Sequence, residues 1–435
     1  MLLVLPLEKR RYTIHFGTLK KGRHQALKLT ANEKLSIQHG IASTVSTTAV
    51  NGYIPLFALG VLGATNQQMG LITSLPSIIG MLALIPGTMW LNRSQNIKNI
   101  AVGTTFFTRF LFMLIMFVPF LSHSWAAWAL VVLTGLLNFP GALSGLSWQS
   151  LIGDVVEEKR RGEFFSTRNR LSTITAMAVT FGTGLYLQHF DKNSAFPYQI
   201  LFVAGFLFAL AEVYFLMKHK IDPGQSAKQE KNELSKRKLS LAVFTYKPYL
   251  SFVICGLLFN FGAQMAWSLF SIYHIREAHA TALWFSLFSV TNQLAQIVSI
   301  KWWAKAADRW GNTMVLFVAA AGMATAPALT ILSVNLVYIT LINLWIGLFV
   351  SGTNLLLFNQ LLKASPEKNR TSYIANYNFL LSVIGFIAPQ FGVYLLNLYG
   401  MNSAMILISL IRFAAGCSFL FVALRVEKRH AIKPA

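Results

Sequence analysis

From residue 39 to residue 424 the chain alternates long apolar runs with short polar breaks. The runs reach the roughly 20 residues that a helix needs to cross the hydrocarbon core of a bilayer. They predict twelve helices, at 39–62, 69–91, 100–121, 125–153, 164–190, 198–217, 248–273, 282–303, 313–333, 336–362, 372–397 and 401–424. An even number of crossings puts both chain ends on one side. The breaks differ in kind. The N tail, 92–99, 154–163, 218–247, 304–312, 363–371 and the C tail carry the lysines and arginines, whereas the intervening connections are short and hold only Lys192 and Arg276. That is the positive-inside asymmetry, which orients the chain with both ends in the cytoplasm.

The same pattern divides the chain. Residues 1–38 form a basic tail with Lys9, Arg10, Arg11, Lys20, Lys21, Arg23, Lys28 and Lys34, suited to anionic lipid headgroups. Gly17 and Gly22 have the spacing of a phosphate-binding loop, but Arg23-His24 stands where Lys-Ser/Thr is required, so the stretch reads as loop. A first six-helix bundle is expected over 39–217. A polar linker follows at 218–247, with Pro223-Gly224 and Lys228, Lys231, Lys236, Arg237 and Lys238. A second bundle covers 248–424, and 425–435 is a short tail.

The two bundles resemble each other. Glu158-Lys159-x-Arg161-x-x-Phe164-x-x-x-x-Asn169 returns as Glu367-Lys368-x-Arg370-x-x-Tyr373-x-x-x-x-Asn378, and the same offset carries Asn51 onto Asn260. Two halves of like connectivity account for this.

Composition agrees with a membrane protein and narrows its partners. Of 435 residues, 54% are hydrophobic and 12% charged, against about 25% charged in a soluble domain. The formal net charge of +22 falls in tails and alternate loops, with no soluble module to present it to nucleic acid. Cys255 and Cys417 both lie in apolar runs, so no disulfide framework or metal pair is expected. No GxSxG, HExxH or Walker A pattern is present, and no cofactor or enzymatic activity is expected.

Twelve spans in a 6+6 arrangement with a long basic central loop resemble the major facilitator superfamily. The resemblance extends to loops. Ala304-Lys305-Ala306-Ala307-Asp308-Arg309-Trp310-Gly311-Asn312 is similar to the family's Gly-x-x-x-Asp-Arg-x-Gly signature, with Ala304 for the first Gly. The first-half copy is eroded to Asn92-Arg93-Ser94-Gln95. Glu157-Glu158-Lys159-Arg160-Arg161-Gly162, led by Asp154, is similar to the acidic–Arg–Gly pattern after helix 4. The resemblance implies that Asp154, Arg161, Arg168, Arg170, Asp308, Arg309 and Arg370 act in gating. A carboxylate such as Asp308 would dock on the positive N-terminal end of helix 5.

Charges inside apolar spans are costly and mark function or buried pairing. Arg109, Glu212 and Arg412 are three such residues. Arg109 and Glu212 fall about 5 Å apart in depth at 1.5 Å per residue, which fits a pair. Arg412 has no acidic partner in view and is expected to bond carbonyls. In the family the cavity is lined by helices 1, 4, 7 and 10, with 2, 5, 8 and 11 contributing. The implied solute contacts are Asn51, Tyr53, Asn138, Trp148, Gln149, Asn260, Gln264, Trp267, Gln293, Trp345 and Asn354. Amides and indoles in a membrane must find partners, and these suit a neutral polar or amphipathic solute. Gly141-x-x-x-Gly145 and Gly182-x-Gly184 read as close helix packing.

The sequence is therefore expected to give an all-α polytopic protein of the cell membrane, acting as a monomer. It would move a small solute by alternating access between two pseudo-symmetric bundles. Efflux of drugs or metabolites by proton antiport is the alternative within transport, and a non-transporting sensor or scaffold the alternative outside it.

Overall fold

The computed structural model describes residues 29–94, 96–156, 160–220 and 241–432. The tail up to residue 28, the linker stretch 221–240 and Glu157, Glu158 and Lys159 lie outside them, as does the side chain of Asp154. All regular structure among the described residues is helical. In chain order the rods are α1 (Ala31–Asn51), α2 (Asn66–Arg93), α3 (Ile97–Leu114) and α4 (His123–Leu136, continued by Asn138–Val155). They are followed by α5 (Arg161–Gln188), α6 (Phe196–Met217), α7 (Lys247–Ile272), α8 (Ala282–Trp310), α9 (Asn312–Thr330) and α10 (Leu336–Ala364). The final helix, Arg370–Ile432, is broken at Gly400, whose φ of 76° is open to glycine, into α11 (370–399) and α12 (401–432). Nine segments among the described residues are long and apolar enough to cross a membrane, and the last of these contains the Gly400 break.

α1 starts eight residues before the expected segment. Thr30 accepts from the Glu33 N–H at 3.2 Å, and Glu33 reaches back to the Thr30 N–H at 2.7 Å. This capping box draws residues 31–38 out of the expected tail and into the bundle. Thr65 and Gln68 cap α2 in the same way, and Asn335 caps α10. At its other end α1 is interrupted. Pro55 has no N–H to give the Asn51 carbonyl, the backbone turns at Gly52-Tyr53, and the chain resumes as Ile54–Leu56 and a π turn, Phe57–Val61. α7 also ends in a π turn, Tyr273–Glu277.

α1 packs on α5 and α6, α3 on α4 and α6, and α2 on α4. The second set repeats this arrangement: α7 packs on the α11–α12 pair, α8 on α10, and α9 on α10 and the α11–α12 pair. The two sets touch chiefly where α2 meets α11 and where α5 meets α8. Those contacts are exchanged by the offset found in the sequence, which is the signature of an internal two-fold.

Candidate functional site

Among the described residues, the contacts that join the two sets gather at one end. The face bearing Asn32, Lys98, Arg160 and Lys220 is here the basic face, and the other the far face. In the far half a single apolar core runs through both sets, joining Phe57, Leu130 and Phe202 to Met265, Ile272 and Val393. Polar contacts close the seal. Thr73 and Ser268 pair through their hydroxyls at 2.9 Å, and the Gln390 amide donates to Ser74 Oγ at 2.9 Å. Arg276 reaches across with Nη1 to Asn66 Oδ1 and Nη2 to the Ala64 carbonyl, both at 2.7 Å. Gly184 lets α5 approach α8 closely, since a Cβ there would sit 2.5 Å from Ser286 Oγ. Gly141 makes a looser approach to Thr108, and Gly145 has open space beside it.

Toward the basic face the cores separate. Tyr249, Trp303 and Leu356 belong to one in the second set, whereas Ile37 with Phe164 and Leu91 with Ile100 form small cores in the first. Between them lies a cleft of about 640 Å³. Met81, Leu84, Thr88, Met89, Leu146 and Gln149 line it from α2 and α4, and Thr371, Ile374, Ala375, Asn378 and Phe379 from α11. Its walls are mostly apolar with a few amides and hydroxyls, the make-up of a small-molecule site.

The sequence-derived solute contacts scatter around this cleft. Gln149 lines it. Asn51 stands exposed at the α1 break, where Pro55 leaves its carbonyl without a helical partner. Its repeat mate Asn260 is engaged, donating to the Gly256 carbonyl at 2.8 Å and to the Tyr377 hydroxyl at 3.3 Å. Tyr53 is buried in the far-face seal, with its hydroxyl on the Thr180 carbonyl. Asn138 turns its amide back to the Thr134 carbonyl, and Gln293 bonds Ser289 Oγ on its own helix. Trp345 faces α9 through Thr325 Oγ1 at 3.0 Å. Gln264 lies against Gly385, and Trp267 and Asn354 are exposed.

The first set contains a polar chain that only partly follows from the sequence. Arg109 and Glu212 pair, Nε to Oε2 at 2.9 Å and Nη2 to Oε1 at 3.2 Å, and Arg109 also donates to Ser43 Oγ. His39 lies 3.7 Å from Glu212 and stacks on Trp148, whose indole carries Arg168 at 4.2 Å. In the sequence His39 stands at the edge of the expected first span, where a polar residue carries no signal of burial. Its spacing of four residues from Ser43 was the available signal, since it places both on one face of α1. In the second set Arg412 is 1% exposed and donates to the Gly262, Ala263 and Met323 carbonyls.

The model of the Major Facilitator Superfamily matches residues 40–389 and again 252–435. The chain belongs to that superfamily. It is a secondary membrane transporter. Solved transporters share the fold. The nucleoside transporter NupG superposes with a TM-score of 0.69 at 13% identity, covering 90% of this chain and 98% of its own. A D-xylose-proton symporter gives 0.65 at 13% identity, with 89% and 96% covered. A bacterial homologue of the iron transporter ferroportin, in an inward-facing state, gives 0.61 at 15%, with 88% and 98% covered. At these identities the likeness is one of fold. No curated protein matches the sequence.

The superfamily loops sit at the basic face. Asp308 is exposed and makes no hydrogen bond or ion pair among the described residues. Arg309 lies over Trp310 at 5.4 Å. Asn312, where the family pattern has a basic residue, is buried and donates to the Leu356 carbonyl and Gln360 Oε1, both at 3.0 Å, tying this loop to α10. Arg161 donates to the Val156 carbonyl at 3.1 Å, and Arg370 reaches Glu367 at 3.8 Å. Arg168 is turned into the bundle, away from the rim, whereas Arg170 is exposed. Glu33, read as part of the tail, is 2% exposed and pairs with Arg160 at 3.4 Å.

Proposed function

We propose that this transporter carries a small organic solute across the cell membrane by alternating access. One bundle (39–217) would rock against the other (248–424) about the seams α2–α11 and α5–α8, with 218–247 as the connection. The basic face is assigned to the cytoplasm, because lysine and arginine concentrate in cytoplasmic loops. The conformation described is then open inward. One observation carries the reading: a continuous apolar and hydrogen-bonded seal joins the bundles in the far half, and a cleft parts them in the basic half. Two bundles sealed at only one end have an obvious second state, sealed at the other. The α1 break at Asn51 supports a solute position near its depth, as interrupted helices expose backbone polar groups only where they meet a cavity. A monomeric carrier in contact with anionic headgroups through its basic tail fits the same picture.

The test is counterflow in proteoliposomes across a library of small solutes, with cysteine labelling of both faces. Counterflow of at least one solute, with far-face labelling that changes when it is added, is the expected result. A complete lack of counterflow together with fixed labelling would sink the reading.

A further inference from the structure

Two amides stand on opposite walls of the cleft. Gln149 comes from α4 of the first bundle and Asn378 from α11 of the second, and both are exposed. Each belongs to a lining stripe of helical spacing. Leu146 precedes Gln149 by three residues, and Thr371, Ile374 and Ala375 precede Asn378 by seven, four and three. Both amides therefore lie on the cleft-facing side of their helices.

Neither side-chain amide has a hydrogen-bond partner among the described residues. The Ser382 hydroxyl donates to the main-chain carbonyl of Asn378 at 3.0 Å and leaves its amide out. Other amides of the bundles are satisfied inside the protein. Asn138 bonds the Thr134 carbonyl, Asn260 the Gly256 carbonyl, Asn343 the Ile339 carbonyl and Asn376 the Ser372 carbonyl. That is the usual fate of an amide in a membrane. Asn376 makes the contrast sharp, because it sits two residues from Asn378 and is buried. Amides left free on both walls of a mostly apolar cleft are placed as the few polar groups that orient a bound molecule.

We propose that Gln149 and Asn378, one from each bundle, read a carboxamide-like edge on a neutral amphipathic solute. This rests on the transport reading and narrows it to solutes with a neighbouring C=O and N–H, as in a primary amide, a lactam or a cyclic urea. A side-chain amide holds an acceptor and donors side by side. Its complement is another amide edge, which gives one hydrogen bond each way. A carboxylate offers acceptors only and would set oxygen against oxygen. Among the described lining residues no charged side chain stands ready to receive it. Met81, Leu84, Leu146, Ile374 and Phe379 supply the wall for the apolar part. A solute bonded to both amides also ties the two bundles together across the open cleft. Occupancy would thus favour closing of the basic face, the coupling that alternating access requires.

The test uses the full-length protein in nanodiscs and probes built on one carbon frame. These are hydrocinnamamide, its N,N-dimethyl derivative, hydrocinnamate, and hydrocarbostyril as the lactam. Binding is read as thermal stabilisation over a concentration series. Hydrocinnamamide and hydrocarbostyril should bind more tightly than the dimethyl amide, which keeps the acceptor and loses the donor, and than the carboxylate. Gln149→Met and Asn378→Leu keep bulk and remove the amide. Each should weaken the two N–H-bearing probes about three- to tenfold, the worth of one hydrogen bond, and narrow their lead over the dimethyl amide. Gln188→Met, at an exposed amide on the far-face end of α5, should behave as wild type. A dimethyl amide or carboxylate binding as tightly as hydrocinnamamide would overturn the assignment, as would amide binding that is absent from wild type or unchanged in both variants. So would variants that bind the probes normally and only shift basic-face cysteine labelling, for then the two amides pair with each other on closing. Amide binding through both residues without counterflow of any solute would leave this site standing and remove transport. Counterflow of some solute with no preference for amides would do the reverse.

Discussion

Arg109 grips Glu212 with two nitrogens, Nε at 2.9 Å and Nη2 at 3.2 Å, and so clamps α3 to α6 inside the first bundle. Both side chains are well buried, at 13% and 3% exposure. A buried pair of this kind gains little over a well-packed apolar pair, but breaking it strands a charge.

Glu212→Gln should therefore cost more than removing both charges. The single change leaves Arg109 without its carboxylate and should destabilise the bundle by about 3–5 kcal/mol. The double variant Arg109→Gln, Glu212→Gln should recover a large part of that loss. Thermal unfolding of the two singles and the double in one detergent gives the coupling. Additive losses would mean that the two side chains act independently.

This pair was legible from depth alone, because helix rise converts residue number into height. So was the carbonyl cage of Arg412, which had no acid within reach in the sequence. The early start of α1 was written as Thr30-x-x-Glu33, yet charge made those residues look like tail, and only burial of Glu33 against Arg160 explains them. Arg276 was visible merely as a basic residue on the wrong side. Its work lies in another bundle, and sequence spacing carries no information about rigid-body contact. The chemistry and helix number of Tyr53 and Trp345 point to the cavity. Which face each presents depends on the α1 break and on the packing of α10 against α9, and a one-dimensional count gives neither.

Arg276→Ala should loosen the far-face seal. The side chain makes two charge-assisted bonds to the α1–α2 connection, at Asn66 and Ala64, across the bundle boundary. Such bonds are worth up to about 1.5–3 kcal/mol when dry and less at an exposed rim. The population open at the far face should rise several-fold. Spin labels at Ser122 and Asn397 would read it as a longer distance component, and an unchanged distribution would show that the apolar core alone holds the seal.

Asn51→Ala and Asn260→Ala, equivalent by repeat, should behave differently. Asn51 is exposed at the break in α1, so its loss should weaken solute affinity while the melting temperature stays within a degree or two. Asn260 bonds Gly256 and Tyr377, and truncating it should cost about 1 kcal/mol in stability. Equal melting temperatures for the two variants would contradict this separation.

Asp308 should matter only when the basic face closes. In the open cleft it is exposed and has no partner among the described residues. Closing that face would bring the end of α8 toward the start of α5, the partner it already meets at the far face through Ser286 and Gly184. There a carboxylate would meet the free N–H groups of the first turn and Arg170, which is exposed, whereas Arg168 is turned inward. Each such contact at a wet rim is worth about 0.3–1 kcal/mol, enough to move a balanced equilibrium several-fold and too little to unfold a bundle. Asp308→Asn should thus enlarge the basic-face-open population at unchanged melting temperature. Arg276→Ala pushes the opposite way, so the double variant should return toward the wild-type distribution. The two residues lie on opposite faces and share no partner, so their effects should add. Labelling rates of single cysteines at the basic-face ends of α4 and α10, in a background lacking Cys255 and Cys417, measure the shift. A double variant that tracks either single variant instead would show that the two faces are not ends of one rocking equilibrium.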